Sequence, residues 1–95
     1  MTTEETITIL VVDDHLIVRE GLISVLRTFP EFNIVGDASS GKMAIALCEK
    51  LHPDVVLMDL KMPHMSGVEA TRLICERFPH IQVLVLTSFI DDELV

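Results

Sequence analysis

Three aspartates directly follow two apolar segments of this chain. Asp13 and Asp14 follow the run Ile7–Val12, and Asp59 follows the run 55–58. If these runs are neighbouring strands of a parallel sheet, their ends lie about 5 Å apart, and the carboxylates crowd together where such sheets bind ligands. A cluster of this kind resists full ionisation unless a cation neutralises it. Oxygen ligands favour Mg²⁺ over zinc, and a carboxylate beside the metal can accept a phosphoryl group.

A structural role for one aspartate is the main alternative. Asp is a favoured N-cap residue, so Asp13 or Asp14 could cap the helix that follows. One cap accounts for one aspartate and leaves Asp59 unexplained, which favours the metal site. Thr87 and Ser88 follow a third apolar run. Their hydroxyls could hydrogen-bond phosphoryl oxygens or belong to an ordinary turn, and spacing alone leaves both open.

The histidines and cysteines are interpreted as structural. The histidines show no metal-ligand spacing, and we expect solvated or locally bonded rings; they are His15, His52, His64 and His80. Cys48 and Cys75 lie within helical patterns. We expect both to be core thiols rather than partners in a disulfide.

Alternating strand and helix patterns predict the elements that position these residues. Apolar, β-branched runs indicate strands, and apolar side chains at i, i+3, i+4 and i+7 indicate helices. The predicted elements are β1 7–12, α1 15–29, β2 33–38, α2 41–51, β3 55–59, α3 67–78 and β4 81–87. Such alternation implies right-handed crossovers. We therefore predict an α/β domain with a parallel sheet.

Composition narrows the class of protein. The chain has 95 residues, 49% of them hydrophobic, which suits one domain with a core. Its formal charge of −8 would repel nucleic acid phosphates. No apolar run is long enough to span a bilayer, and the acidic start MTTEETIT does not resemble a signal peptide. We expect a cytoplasmic protein that, as this chain alone, binds neither nucleic acid nor membrane.

The segment MPHMSGVEATR follows Asp59 at residues 62–72. Ser66 and Glu69 have the S-x-x-E spacing of a capping box, which predicts the start of α3. Pro63 and Gly67 are expected to shape the loop between Asp59 and that helix.

Three motifs together resemble the receiver domain of two-component response regulators. They are VVDDH..VREGL, VVLMDLKMPHMSGVEATR and VLVLTSF, and they occur in the order found in that family. The first two look most like the nitrate-response and quorum-sensing (NarL/FixJ-LuxR-like) subfamily. The resemblance runs from about Thr6 to the end of the chain. It implies a flavodoxin-like (CheY-like) doubly wound parallel sheet with strand order 2-1-3-4-5.

The resemblance also implies a role for each residue of the site. Asp59 would accept a phosphoryl group from a phosphohistidine on a sensor histidine kinase. Asp14 and Asp59 would ligate Mg²⁺ directly, together with the backbone carbonyl of Lys61, while Asp13 would act mostly through water. Thr87 matches the switch hydroxyl that moves toward the phosphoryl group. In this subfamily the full-length protein usually carries a helix-turn-helix domain that binds promoters.

The family pattern continues beyond the end of this sequence. Family receivers have a fourth helix, a fifth strand ending in a lysine that pairs with the phosphoryl group, and a fifth helix. The sequence stops at Val95, so we expect a receiver domain over 1–95 that is shortened before the fifth strand, with residues 1–5 disordered. The apolar run IQVLVLT would then form an exposed edge. This predicts a homo-oligomer formed through β4 or through exchanged elements.

Two other functions remain open at this point. A self-associating but inactive receiver fragment would bind no metal tightly and carry no phosphoryl group. A Mg²⁺-dependent phosphatase of the haloacid dehalogenase kind also has an aspartate nucleophile at a strand end. Such enzymes usually have a second aspartate two residues later, where this chain has Lys61. The leading hypothesis is a signalling module, not an enzyme.

Overall fold

A computed structural model describes residues 5–60, 62 and 65–86. Its elements are β1 (Ile7–Val12), α1 (Leu16–Leu26), β2 (Phe32–Ala38), α2 (Gly41–Leu51), β3 (Val55–Asp59), α3 (Gly67–Arg77) and β4 (Gln82–Leu86). All seven predicted elements are present in the predicted order. Residues 1–4, Lys61, Pro63, His64 and everything from Thr87 onward lie outside the described residues. The expectations placed on them, disorder at the N-terminus included, stay expectations.

The four strands form one parallel sheet in the order β2-β1-β3-β4. This is the order that the resemblance implied, and it makes β1 and β3 neighbours. Their register pairs Val12 with Met58. Asp13 and Asp59, the next residue of each strand, therefore come to the same edge of the sheet.

A contact at the opposite edge ties together the starts of β1 and β3. Asp54 Oδ2 accepts hydrogen bonds from the backbone N–H of Thr8 at 2.9 Å and from its hydroxyl at 3.0 Å. These bonds hold the pKa of the Asp54 carboxyl below its usual value. A one-residue slip between β1 and β3 would turn every side chain to the opposite face of the sheet. The register set by these bonds therefore also determines which residues meet at the far ends of the two strands.

The core lies between the sheet and the helix pair α2 and α3. Leu10 and Met58 of the sheet pack in one cluster with Cys48 of α2 and Ile74 of α3. Both helices begin at serine caps: Ser40 Oγ accepts from Met43 N at 3.1 Å, and Ser66 Oγ accepts from Glu69 N at 3.2 Å. The Ser66 cap predicted from the capping box is confirmed.

The other face of the sheet is more open. Helix α1 contacts only β1 and β2 among the described elements, and it has no fully buried residue. Val25, one of the apolar positions that predicted this helix, is 60% exposed. The apolar spacing of α1 was therefore a correct sign of a helix, yet much of the apolar surface faces outward in the described part of the chain.

One of the two cysteine predictions is wrong. Both thiols are free, as expected, and Cys48 is buried, which raises the pKa of its thiol to about 11. Cys75 is exposed. It follows the fully buried Ile74 on α3, and one step along a helix turns the side chain by about 100° away from the core.

No helix among residues 5–60, 62 and 65–86 is long and apolar enough to cross a membrane.

Candidate metal and phosphoryl site

The carboxyl edge of the sheet brings together the three aspartates singled out in the sequence. Asp13, Asp14, His15 and Asp59 each offer a ligand atom within 4.8 Å of the others. Asp59 is 2% exposed and Asp13 is 5% exposed. Charges this close in a site shielded from water interact more strongly than at an open surface. Lys61 and Thr87, the other two predicted site residues, lie outside the described residues.

Asp13 forms the turn that precedes α1. Its Oδ1 accepts a hydrogen bond from the backbone N–H of His15 at 2.8 Å, and its own N–H donates to Ala38 O at 3.0 Å. The N-cap residue of α1 is His15, and no side chain among the described residues caps this helix, so the capping alternative is wrong for both aspartates. The hydrogen bond from His15 N places Asp13 in the turn before the helix. This role does not account for Asp14 or Asp59.

Asp14 presents a carboxylate oxygen whose interactions are incomplete. Its Oδ1 is shielded from solvent and accepts no hydrogen bond from residues 5–60, 62 and 65–86. The ring nitrogen Nδ1 of His15 lies 3.1 Å from this oxygen without hydrogen-bond geometry. A shielded carboxylate oxygen without a donor is costly. A divalent cation would satisfy it, and a set rich in carboxylate oxygens is the kind that Mg²⁺ prefers.

His15 lies closer to the acids than the sequence indicated. Its Nδ1 is 3.3 Å from Asp13 Oδ1, and the charge of Asp14, followed by this contact with Asp13, raises the pKa of the exposed imidazole. The expectation of a locally bonded ring holds. Its place among the possible ligand atoms was missed, and the signal that could have shown it is the unbroken run DDH after β1.

Gly67 allows α3 to begin directly against the end of β3. Its N–H donates to Leu60 O at 3.0 Å. A Cβ at this position would overlap the carbonyl oxygen of Asp59 and lie 2.6 Å from Leu60 Cα. The sequence placed Gly67 in the shaping of this loop. The structure adds that the close approach of two backbones requires glycine.

Arg19 links the Asp13–Asp14 segment to β2. Its Nη1 donates to the carbonyl oxygen of Asp13 at 2.7 Å, and its Nε donates to Asp37 Oδ2 at 2.7 Å. No spacing rule connects these residues, because the three come from different elements. Sequence reasoning did not assign Arg19 to the site.

Comparisons with known proteins agree with this geometry. The sequence model of the response regulator receiver domain family matches residues 9–95. The response regulator protein VraR of Staphylococcus aureus is 52% identical over 90 residues, which cover 95% of this chain and 43% of VraR.

Solved structures give the same result. A LuxR-family two-component response regulator from Aurantimonas sp. has a TM-score of 0.83 at 37% identity, over 87% of this chain and 59% of that one. A chain of the CheX–CheY complex with BeF₃⁻ and Mg²⁺ from Borrelia burgdorferi has a TM-score of 0.83 at 25% identity, over 96% of this chain and 69% of that one.

The match covers only part of the length of these relatives. This chain spans less than half of VraR, so the matched region corresponds to the receiver part of such a regulator. The strand order, the family match and the similar proteins all indicate a receiver domain. The chain belongs to the response regulator receiver domain family of two-component systems, in its NarL/LuxR-like subfamily.

Proposed function

We propose that this domain receives a signal as a phosphoryl group on Asp59. The donor is a phosphohistidine of a sensor histidine kinase, the class of protein with which receiver domains interact. The observation that carries the proposal is the position of Asp59, shielded at the end of β3 and within 4.8 Å of the paired acids after β1. This is the arrangement that acyl phosphate formation needs: a carboxylate nucleophile beside a cation site.

In the proposed reaction, a carboxylate oxygen of Asp59 forms a bond to phosphorus while the bond from phosphorus to the donor nitrogen breaks. Asp14 and Asp59 would hold Mg²⁺ together with the carbonyl of Lys61, and Asp13 would act through water. The cation would neutralise charge on the phosphoryl oxygens. Asp13 is suited to an outer role because its Oδ1 already accepts from His15 N. The hydroxyl of Thr87 would hydrogen-bond the transferred group.

The test is phosphorylation by a small donor. With acetyl phosphate and Mg²⁺, intact mass spectrometry is expected to show one added phosphoryl group on the wild-type chain and none on Asp59→Asn, which keeps the side-chain shape but lacks the nucleophile. Glu76→Gln is the matched control, because this exposed carboxylate pairs only with Arg72 in the described contacts. It should be phosphorylated like the wild type.

Three results would contradict the proposal. Addition to Asp59→Asn at the wild-type level would place the acceptor elsewhere. Continuous hydrolysis of para-nitrophenyl phosphate by the wild type would favour the phosphatase alternative. A wild-type chain that binds no Mg²⁺ and takes up no phosphoryl group would be the inactive receiver fragment.

We also propose that the chain self-associates through β4. Within the described residues, β4 pairs with β3 only, and Leu84 is 54% exposed on it. A second copy of the same strand suits such an edge, because its backbone N–H and C=O groups can complete the ladder. We further propose that this chain is cytoplasmic, as its composition suggested, and that the full-length regulator binds DNA, as the family resemblance implied.

Sedimentation velocity over a range of concentrations tests the β4 interface. The wild type is expected to show a mass that rises with concentration, and Leu84→Lys should shift association to higher concentration, because a charge on an edge strand opposes pairing. Val25→Lys places the same charge on an exposed apolar position of α1 and should associate like the wild type. A mass independent of concentration would refute the proposal.

A further inference from the structure

Arg19 contacts β2 and the residue that directly follows β1. Its side chain is 13% exposed, and its guanidinium donates at 2.7 Å to Asp13 O and at 2.7 Å to Asp37 Oδ2. Asp37 belongs to β2, Arg19 to α1, and Asp13 follows β1. One largely buried cation therefore connects three elements at the edge where the proposed metal site lies.

Arg19 contacts the backbone of Asp13 and can therefore influence how the chain continues into Asp14. The Asp13 carbonyl belongs to the peptide unit whose nitrogen is that of Asp14. Because that unit is planar, fixing the direction of the C=O also fixes the direction from which the chain enters Asp14. Two further hydrogen bonds hold Asp13 in place. Its N–H donates to Ala38 O, and its Oδ1 accepts from His15 N.

We propose that Arg19 is a positioning residue for the cation site: it holds the Asp13–Asp14 peptide so that the carboxylate of Asp14 points toward the metal. The inference rests on the proposed function, since it presumes that Asp14 binds Mg²⁺. The charge of the guanidinium is paired with Asp37, so its influence on the site comes mainly through geometry. A planar guanidinium can donate in two directions at once, which a lysine ammonium on a flexible stem does poorly.

The test compares Mg²⁺ affinity by calorimetry in the wild type, Arg19→Gln and Arg19→Lys. Arg19→Gln is expected to weaken Mg²⁺ binding about tenfold, the lower end of the effect of outer-shell partners. Arg19→Lys keeps the charge and should also bind Mg²⁺ more weakly than the wild type. Arg72→Gln removes an arginine from the exposed Arg72–Glu76 pair and should leave the affinity unchanged. Circular dichroism with EDTA present checks that each variant is folded, and Arg19→Lys serves as the test if Arg19→Gln does not fold.

A double variant separates positioning from general destabilisation. If Arg19 acts through Asp14, Arg19→Gln should have little further effect on Mg²⁺ affinity once Asp14→Asn is present. Equal losses in both backgrounds would overturn the inference, as would an affinity of folded Arg19→Gln within twofold of the wild type. These outcomes differ from failure of the proposed function, in which the wild type itself binds no Mg²⁺.

Discussion

Gly67→Ala is expected to destabilise the domain by about 3 kcal/mol or more, at the upper end of the usual cost of overpacking. The added methyl group would meet backbone atoms, the Asp59 carbonyl oxygen and Leu60 Cα, rather than the end of a flexible side chain. Neither neighbour can move without displacing the end of β3 or the start of α3. The hydrogen bond from Gly67 N to Leu60 O would be strained by the same movement.

Urea unfolding of the metal-free chain measures this effect. Gly21→Ala is the matched control, because it makes the same substitution inside α1, where a Cβ would have no atom within 4 Å. It should stabilise the domain by about 0.5–1 kcal/mol, since alanine suits a helix interior better than glycine. If Gly67→Ala unfolded at the same urea concentration as the wild type, the close approach of α3 to β3 would not require glycine at this position.

Much of the fold could be predicted from the sequence because local patterns and tertiary packing agree. The bounds of β1, α2 and β3 match the prediction to the residue. Helix α1 was predicted over 15–29 and ends at Leu26. After that point Thr28 N donates to Val25 O and Phe29 N to Leu26 O, which are the tighter three-residue bonds of a turn. Apolar spacing continues through these residues although the helical bonds do not.

The site was less predictable where it depends on geometry between elements. The sequence indicated that acids would meet, but Asp13 and Asp14 are chemically identical neighbours. Only the hydrogen bond from His15 N shows that Asp13, and not Asp14, forms the turn before α1. Arg19 acts on a backbone carbonyl, and its other partner Asp37 lies 18 positions away, so no motif records the link. Such contacts follow from the fold, after sheet order and register are known.

Asp14→Asn is expected to change Mg²⁺ affinity and metal-free stability in opposite directions. As a proposed direct ligand, Asp14 should matter more than an outer-shell partner, so its loss should weaken Mg²⁺ binding about 100-fold or more. Without metal, however, the charge of Asp14 lowers the stability of the fold, because it lies close to Asp13 and Asp59 and its shielded oxygen accepts no hydrogen bond in the described part of the chain. Removing that charge should therefore raise the free energy of unfolding in EDTA.

Asp13→Asn provides the comparison within the same pair. An asparagine oxygen can still accept from His15 N, so the start of α1 should be kept, and the loss of Mg²⁺ affinity should be smaller because Asp13 acts through water. Calorimetric Mg²⁺ titration and urea unfolding in EDTA give the two quantities for each variant. Wild-type Mg²⁺ affinity in Asp14→Asn would exclude Asp14 as a ligand. A larger loss of affinity in Asp13→Asn than in Asp14→Asn would exchange the roles of the two aspartates, with Asp13 as the direct ligand.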